Sequence, residues 1–163
     1  MARRSWVQAV RQHHGIEHAT LTLLTRRFPR ARVFARSDPR GFVVYGNVDT
    51  LDLRAAAEEA VARLKAGEDG LAVHPNCGTN LVTAGLLTGC AAFLASGGDK
   101  RPLWDRVPSA ILAATAALIV APPLGRWTQA RLTTSSRVDG LRIVAVNRSD
   151  TGPLVRHRVV ISA

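Results

Sequence analysis

The sequence predicts an α+β membrane protein: a small cytoplasmic α+β domain interrupted by a two-helix transmembrane hairpin. Three observations predict it. Residues 75–98 and 107–125 carry no charge, and each stretch approaches or exceeds the ~20 residues that cross a ~30 Å hydrocarbon core. Trp104 and Trp127 lie beside the second stretch, where an indole favours the boundary between lipid and water. Elsewhere the chain shows helical and strand periodicities of a small mixed domain. The mean hydropathy of +0.05 over 163 residues is then an average of two unlike parts.

The elements follow in order. Ser5 to Arg27 reads as a helix, with Val7, Val10, His14, Glu17, His18 and Leu21 on one arc. Two runs rich in Val and Phe flank Ser37-Asp38-Pro39-Arg40-Gly41 and predict a β-hairpin. Asp49 or Thr50 caps a second helix through Leu64, whose alanines favour helix. Leu71-Ala72-Val73-His74 reads as a short strand leading to the first apolar stretch. The short segment Gly97 to Arg106, with the Gly and Pro of a turn, connects the two stretches. In the first stretch Gly85 and Gly89 form a Gly-x-x-x-Gly pair, and in the second Ala110, Ala114, Ala117 and Ala121 recur at helical spacing. Small residues at these intervals let helices approach closely in lipid, which also invites a homo-oligomer. Leu141 to Arg148 and Leu154 to Ser162 alternate like two final strands around a turn at Ser149-Asp150-Thr151-Gly152. The expected division is 1–79 for the cytoplasmic α+β part, 80–125 for the hairpin, and 126–163 for a β-hairpin that completes the domain.

Composition sets the outer bounds. Lys+Arg number 22 against 12 Asp+Glu, a net charge of +10. Arg63, Lys65, Arg126, Arg131, Arg137 and Arg142 lie near the membrane ends on the side of both termini, against Lys100, Arg101 and Arg106 in the loop. That bias puts the termini in the cytoplasm at the inner membrane, with the surplus arginine toward anionic lipid. No basic–aromatic interleaving is visible along the chain, so no nucleic-acid partner is expected. The two cysteines, Cys77 and Cys90, cannot build a disulfide scaffold. No long apolar run follows the first arginines, so no secretory signal is expected.

The chemistry gathers in His13-His14-Gly15-Ile16-Glu17-His18. On a helix His14 and His18 sit one turn apart on one face, the spacing at which two imidazoles grip one metal ion. Glu17 completes the H-x-x-E-H order of inverted zinc metallopeptidases, in which a glutamate serves as general base toward water on Zn²⁺. His74 is the candidate third ligand. Cys77, Asn80 and His13 are candidates for a further ligand or for support of the ligands. If Cys77 ligates, the site closes and is structural; if not, a position stays open for water and substrate. Gly78, Thr79 and Asn80 either stabilise an oxyanion or cap the apolar helix. His157, between arginines on a strand, is expected to be exposed, and Cys90 to pack as a small apolar residue.

His14, Gly15, Glu17 and His18, followed by His74, Pro75, Cys77, Gly78 and Thr79 before a membrane span, resemble the HG-x-EH and HP-x-CGT elements of the YqhQ-like family of bacterial membrane proteins. The resemblance implies a shared metal site and membrane setting, and no substrate. From the residues, the expected function is a minimal membrane-embedded zinc metallopeptidase acting on peptide or membrane-protein segments at the cytoplasmic interface. The alternatives are a scaffold or assembly protein with a structural four-ligand zinc site, and a basic domain that recruits lipid or nucleic acid.

Overall fold

The computed structural model describes residues 5–97, 102–150 and 155–163. Residues 98–101 of the connecting segment and the centre of the turn at 151–152 lie outside the described residues. The chain divides into two units, one of residues 1–74 with 130–163 and the other of residues 75–129.

The first unit is mixed α+β. Helix α1 (Trp6–Arg27) precedes a hairpin of β1 (Phe34–Asp38) and β2 (Gly41–Tyr45), and α2 (Thr50–Lys65) follows. Strands β3 (Arg142–Ser149) and β4 (Arg156–Ser162) come after the second unit in the chain. The four strands form one antiparallel sheet in the order β1-β2-β4-β3, so the last strand is inserted beside the first hairpin. Strand alternation turns Phe42, Val44, Val159 and Ile161 to the helices. There they meet Ile16, Ala19, Leu23 and Leu24 of α1 and Leu53, Ala57 and Ala60 of α2. Each large side chain fully buried there contributes roughly 1.5–3 kcal/mol. Asp49 caps α2 as its position predicts, its carboxylate accepting from the amides of Leu51 (2.7 Å) and Asp52 (3.3 Å).

The strand predicted at Leu71–His74 is absent. Asp69–Ala72 is instead a single 3₁₀ turn, and only the chain after it is extended. Leu71 and Ala72 are buried by this turn and no ladder partner adjoins them; a four-residue apolar run cannot distinguish the two conformations by periodicity.

The second unit consists of α3 (Gly78–Ala95) and α4 (Leu103–Thr128), which runs on into a π-helical turn, Gln129–Thr133. Both helices are long and apolar enough to cross a membrane; the 18 residues of α3 extend about 27 Å. They pack together along Ala84, Leu87, Thr88 and Ala91 of α3 and the small face Ala110, Ala114, Ala117 and Ala121 of α4. The alanine repeat is therefore the packed face. The glycine pair is not: Gly85 and Gly89 are exposed, and a methyl group added to either would meet nothing within 4 Å. They lie a residue off the buried arc of α3, which the bulkier Leu87 shares. Cys90 is likewise exposed rather than packed. Proline at 108, 122 and 123 sits inside α4, tolerated where neighbouring groups satisfy the freed carbonyls.

Candidate metal centre

Helix α1 buries more polar than its sequence advertises. Gln12, His13, Glu17, His18 and Thr20 are all at most 5% exposed, and a buried polar group is costly unless it is bonded. The bonds divide the helix into two working sides. Toward the sheet, His13 Nδ1 meets the carbonyl of Asp38 at 2.8 Å, and the Glu17 carboxylate accepts from the hydroxyl of Ser37, both on β1. Away from it, His14 Nδ1 donates to the carbonyl of Thr133 (3.0 Å) and His18 Nδ1 to that of Ala72 (2.8 Å).

These two carbonyls decide the chemistry of the pair. A carbonyl oxygen can only accept, so each Nδ1 carries a proton, and in the neutral ring Nε2 is then the lone-pair nitrogen. Imidazoles that bind metal ions show this arrangement, with the distal N–H held by the surroundings and the other nitrogen presented. The rings of His14 and His18 are 4.3 Å apart edge to face, and donor nitrogens of the two lie within 4.8 Å. His74, half-buried, has its ring centroid 5.8 Å from that of His18. The i, i+4 spacing thus sets His14 beside His18, and the 3₁₀ turn that ends at Ala72 leads to His74 beside His18.

Gly15 makes the arrangement fit. A Cβ there would run into the carbonyl oxygen of Ser135, and the Ser135 amide donates to the carbonyl of Arg11 at 2.9 Å. Glycine lets segment 133–135 lie against α1, and that segment carries the carbonyl that orients His14. Arg11 and Gln12 tie the same segment through the carbonyls of Arg131 (2.8 Å), Thr134 (3.2 Å) and Arg137 (2.5 Å). None of these orienting groups was among the sequence candidates. They are backbone carbonyls, which have no residue signature; only Gly15, within the histidine cluster, marked a close approach.

The other candidates fall elsewhere. His13 belongs to the β1 side of the helix and is buried. Asn80 works inside the second unit: its amide donates to the Pro75 carbonyl (2.7 Å), and its side-chain oxygen accepts from Gln129 at 2.6 Å. This ties the start of α3 to the end of α4. Cys77 is the N-cap of α3, its sulfur accepting from the Thr79 amide at 3.5 Å, the capping role open to this segment. It is also a thiol donor three residues along the chain from His74.

His157 corrects an expectation. Its strand position turns it inward, fully buried, with Nε2 3.1 Å from the hydroxyl of Thr50. Burial, and then the nearby Arg148 charge, push its pKa below the ordinary value. On the opposite face of the sheet, Arg158 forms a bidentate pair with Asp38. Burial raises the Asp38 pKa, but the hydrogen bond from Arg158, the Arg40 amide and the Arg158 charge outweigh it, leaving it lowered.

With this geometry in place, comparison with known proteins supplies a family. A family model described as a domain of unknown function, DUF6391, matches residues 9–146, which include all three imidazoles and both long helices. The chain belongs to the DUF6391 family. An uncharacterized protein of Picosynechococcus sp. is 38% identical over 158 residues, covering 88% of this chain and 75% of that protein. No solved structure matches the chain. A bacterial family of unknown function was the expectation, and to that extent it stands; the YqhQ-like assignment does not. Two short motifs record ligand chemistry, which unrelated chains share, whereas the DUF6391 match runs through the domain and the apolar helices alike.

Proposed function

We infer that this DUF6391 protein is a membrane-anchored zinc hydrolase of the peptidase type. One observation carries the reading: both His14 and His18 have their Nδ1 protons held by backbone carbonyls, so that two lone pairs one turn apart are presented together, with a third imidazole alongside. His14, His18 and His74 would hold the metal, and nitrogen donors suit Zn²⁺. Such an ion supplies electrophilic activation of water and of a peptide carbonyl. Glu17 would take and return the proton, its carboxylate leaving the Ser37 hydroxyl that holds it on the β1 side to turn toward the imidazoles.

The anchoring rests on α3 and α4, which expose Leu86, Phe93, Ile111, Leu112 and Ile119, side chains that a lipid phase would cover. With the arginine bias toward the termini, the α+β unit lies on the cytoplasmic side. Peptide segments near that interface are then the substrates within reach.

A second reading has its own support. The Glu17 carboxylate is engaged by β1, whereas the imidazoles of His14 and His18 are oriented from Thr133 and Ala72. A centre whose ligands include Cys77 would be structural, and the protein a scaffold. The experiment is purification of the full chain in detergent without chelator, with metal analysis and cleavage of an unstructured peptide. The expected result is about one zinc per chain, lost in His14→Ala and His18→Ala. Glu17→Gln should keep the zinc and lose cleavage. Zinc retained with no cleavage by the unaltered chain selects the scaffold; absence of metal ends both readings.

A further inference from the structure

The face of the sheet turned away from the helices carries a pattern that the linear sequence hides. Cross-strand register aligns Phe34, Tyr45, Arg156 and Ser149 in one row across β1, β2, β4 and β3. The adjoining row is Arg36, Val43, Arg158 and Asn147. Residues from four strands thus set an aromatic pair, Phe34 and Tyr45, beside Arg36, Arg156 and Arg158 on one surface. The rings of Phe34 and Tyr45 stack at 4.7 Å and within 9° of parallel, with Phe34 57% exposed. Beside them a cleft of about 310 Å³ is lined by Val43, Tyr45, Asn147, Arg148, Arg156 and Arg158, together with Ser149. Arg156 and Arg158 belong to the outward rows, Arg148 stands opposite the inward His157, and none of the lining residues is acidic. Arg158 is held by Asp38 and Arg148 by Asp150, but among the described residues Arg156 forms no ion pair.

This is a site without an evident structural purpose. An interior needs no arginines, and a merely solvated sheet face needs no stacked aromatic pair beside a pocket. The chemistry asks for a ligand with an anionic end and a flat apolar end. Guanidinium groups match phosphate geometry, aromatic rings accept a planar base on their faces, and the Asn147 amide offers both a donor and an acceptor. The volume lies at the lower end of the range for small-molecule sites, ~300–1,000 Å³, and suits one nucleotide unit. We propose that the outer face of the sheet is a nucleotide-binding site, with Arg156 on the phosphate and the Tyr45–Val43 floor under the base. It is independent of the imidazole centre and of the reading given to it.

Tyr45 is the sole tyrosine of the chain, so incorporation of 3-fluorotyrosine places one ¹⁹F probe in the site. The full chain in detergent is titrated with nucleoside monophosphates, ribose 5-phosphate and inorganic phosphate. The expected result is a saturable shift with at least one nucleotide, bound about tenfold or more tightly than ribose 5-phosphate, as stacking of a base implies. Arg156→Gln should weaken binding about tenfold without altering thermal unfolding, and Arg30→Gln should leave it unchanged. A short single-stranded oligonucleotide that binds more tightly than the mononucleotide would identify the source as a polymer. An unmoved resonance, or equal affinity for nucleotide and ribose 5-phosphate, overturns the proposal. So does a response confined to phosphatidylglycerol vesicles, which would make the face a lipid surface.

Discussion

Helices α1 and α4 are similar in length, 22 and 26 residues, and opposite in what they conceal. Helix α1 buries Gln12, His13, Glu17, His18 and Thr20 among its leucines, whereas α4 buries only Ala121 and Gly125 and exposes Ile111, Leu112, Leu118 and Ile119. In α1 every turn facing inward must find polar partners, and the 3₁₀ turn, β1 and segment 133–137 supply them. In α4, apart from the bonds that Pro108, Pro122 and Pro123 cannot donate, the backbone is paired within the helix, and the apolar side chains look outward. The same chain therefore carries two kinds of surface. One unit hides bonded polar groups from water, and the other presents apolar surface of the kind a bilayer hides.

Truncation should break the comparison most sharply. Leu24→Ala, at a fully buried position of α1, is expected to cost about 2–5 kcal/mol, seen as faster hydrogen exchange in β2 and β4. Leu118→Ala, 54% exposed on α4, is expected to change stability in detergent by less than about 0.5 kcal/mol. Equal losses at the two positions would show that α4 is covered by protein.

A second test probes close packing rather than burial. Gly15→Ala drives a methyl group into the Ser135 carbonyl and should cost about 1–3 kcal/mol. Gly85→Ala, on the open face of α3, should be neutral or slightly stabilising because alanine favours helix. Thermal denaturation followed by circular dichroism separates these outcomes. Next in size, Asp49→Ala removes the cap of α2 and should cost about 1 kcal/mol, measurable by urea titration.

The smallest effect concerns pH. The folded state lowers the His157 pKa below its ordinary 6.5, so it favours the neutral ring. Its contribution to stability is complete above about pH 6.5 and is lost as pH falls toward the folded value. The unaltered chain should lose stability more steeply below that point than His157→Gln, in paired urea titrations between pH 7 and pH 5. Identical slopes would mean that another group governs the acid side.

Much of the fold was legible because its signals are local. The helix from Ser5, the Asp49 cap, the hairpin around Pro39 and the alternation of the last two strands depend on neighbours within a few residues. The histidine pair was legible for the same reason, since i, i+4 spacing alone places both rings on one face. The 3₁₀ turn at Asp69–Ala72 was not, because four apolar residues fit either conformation. Nor was the burial of His157: its flanking arginines point to the other side of the strand, and alternation alone does not say which side is inward.

The sequence by itself determined the two apolar helices, the mixed character of the remaining unit and the placing of His14 and His18 one turn apart on one helix, because each rests on composition or on contacts between near neighbours. Tertiary structure alone decided which carbonyls hold His14 and His18, that Glu17 meets Ser37, and that Gly85 and Gly89 face outward. It also decided that Tyr45, Arg156 and Arg158 share one sheet face. The reason is physical: carbonyl partners carry no side-chain signature, and strand register depends on hydrogen bonds between residues more than a hundred positions apart.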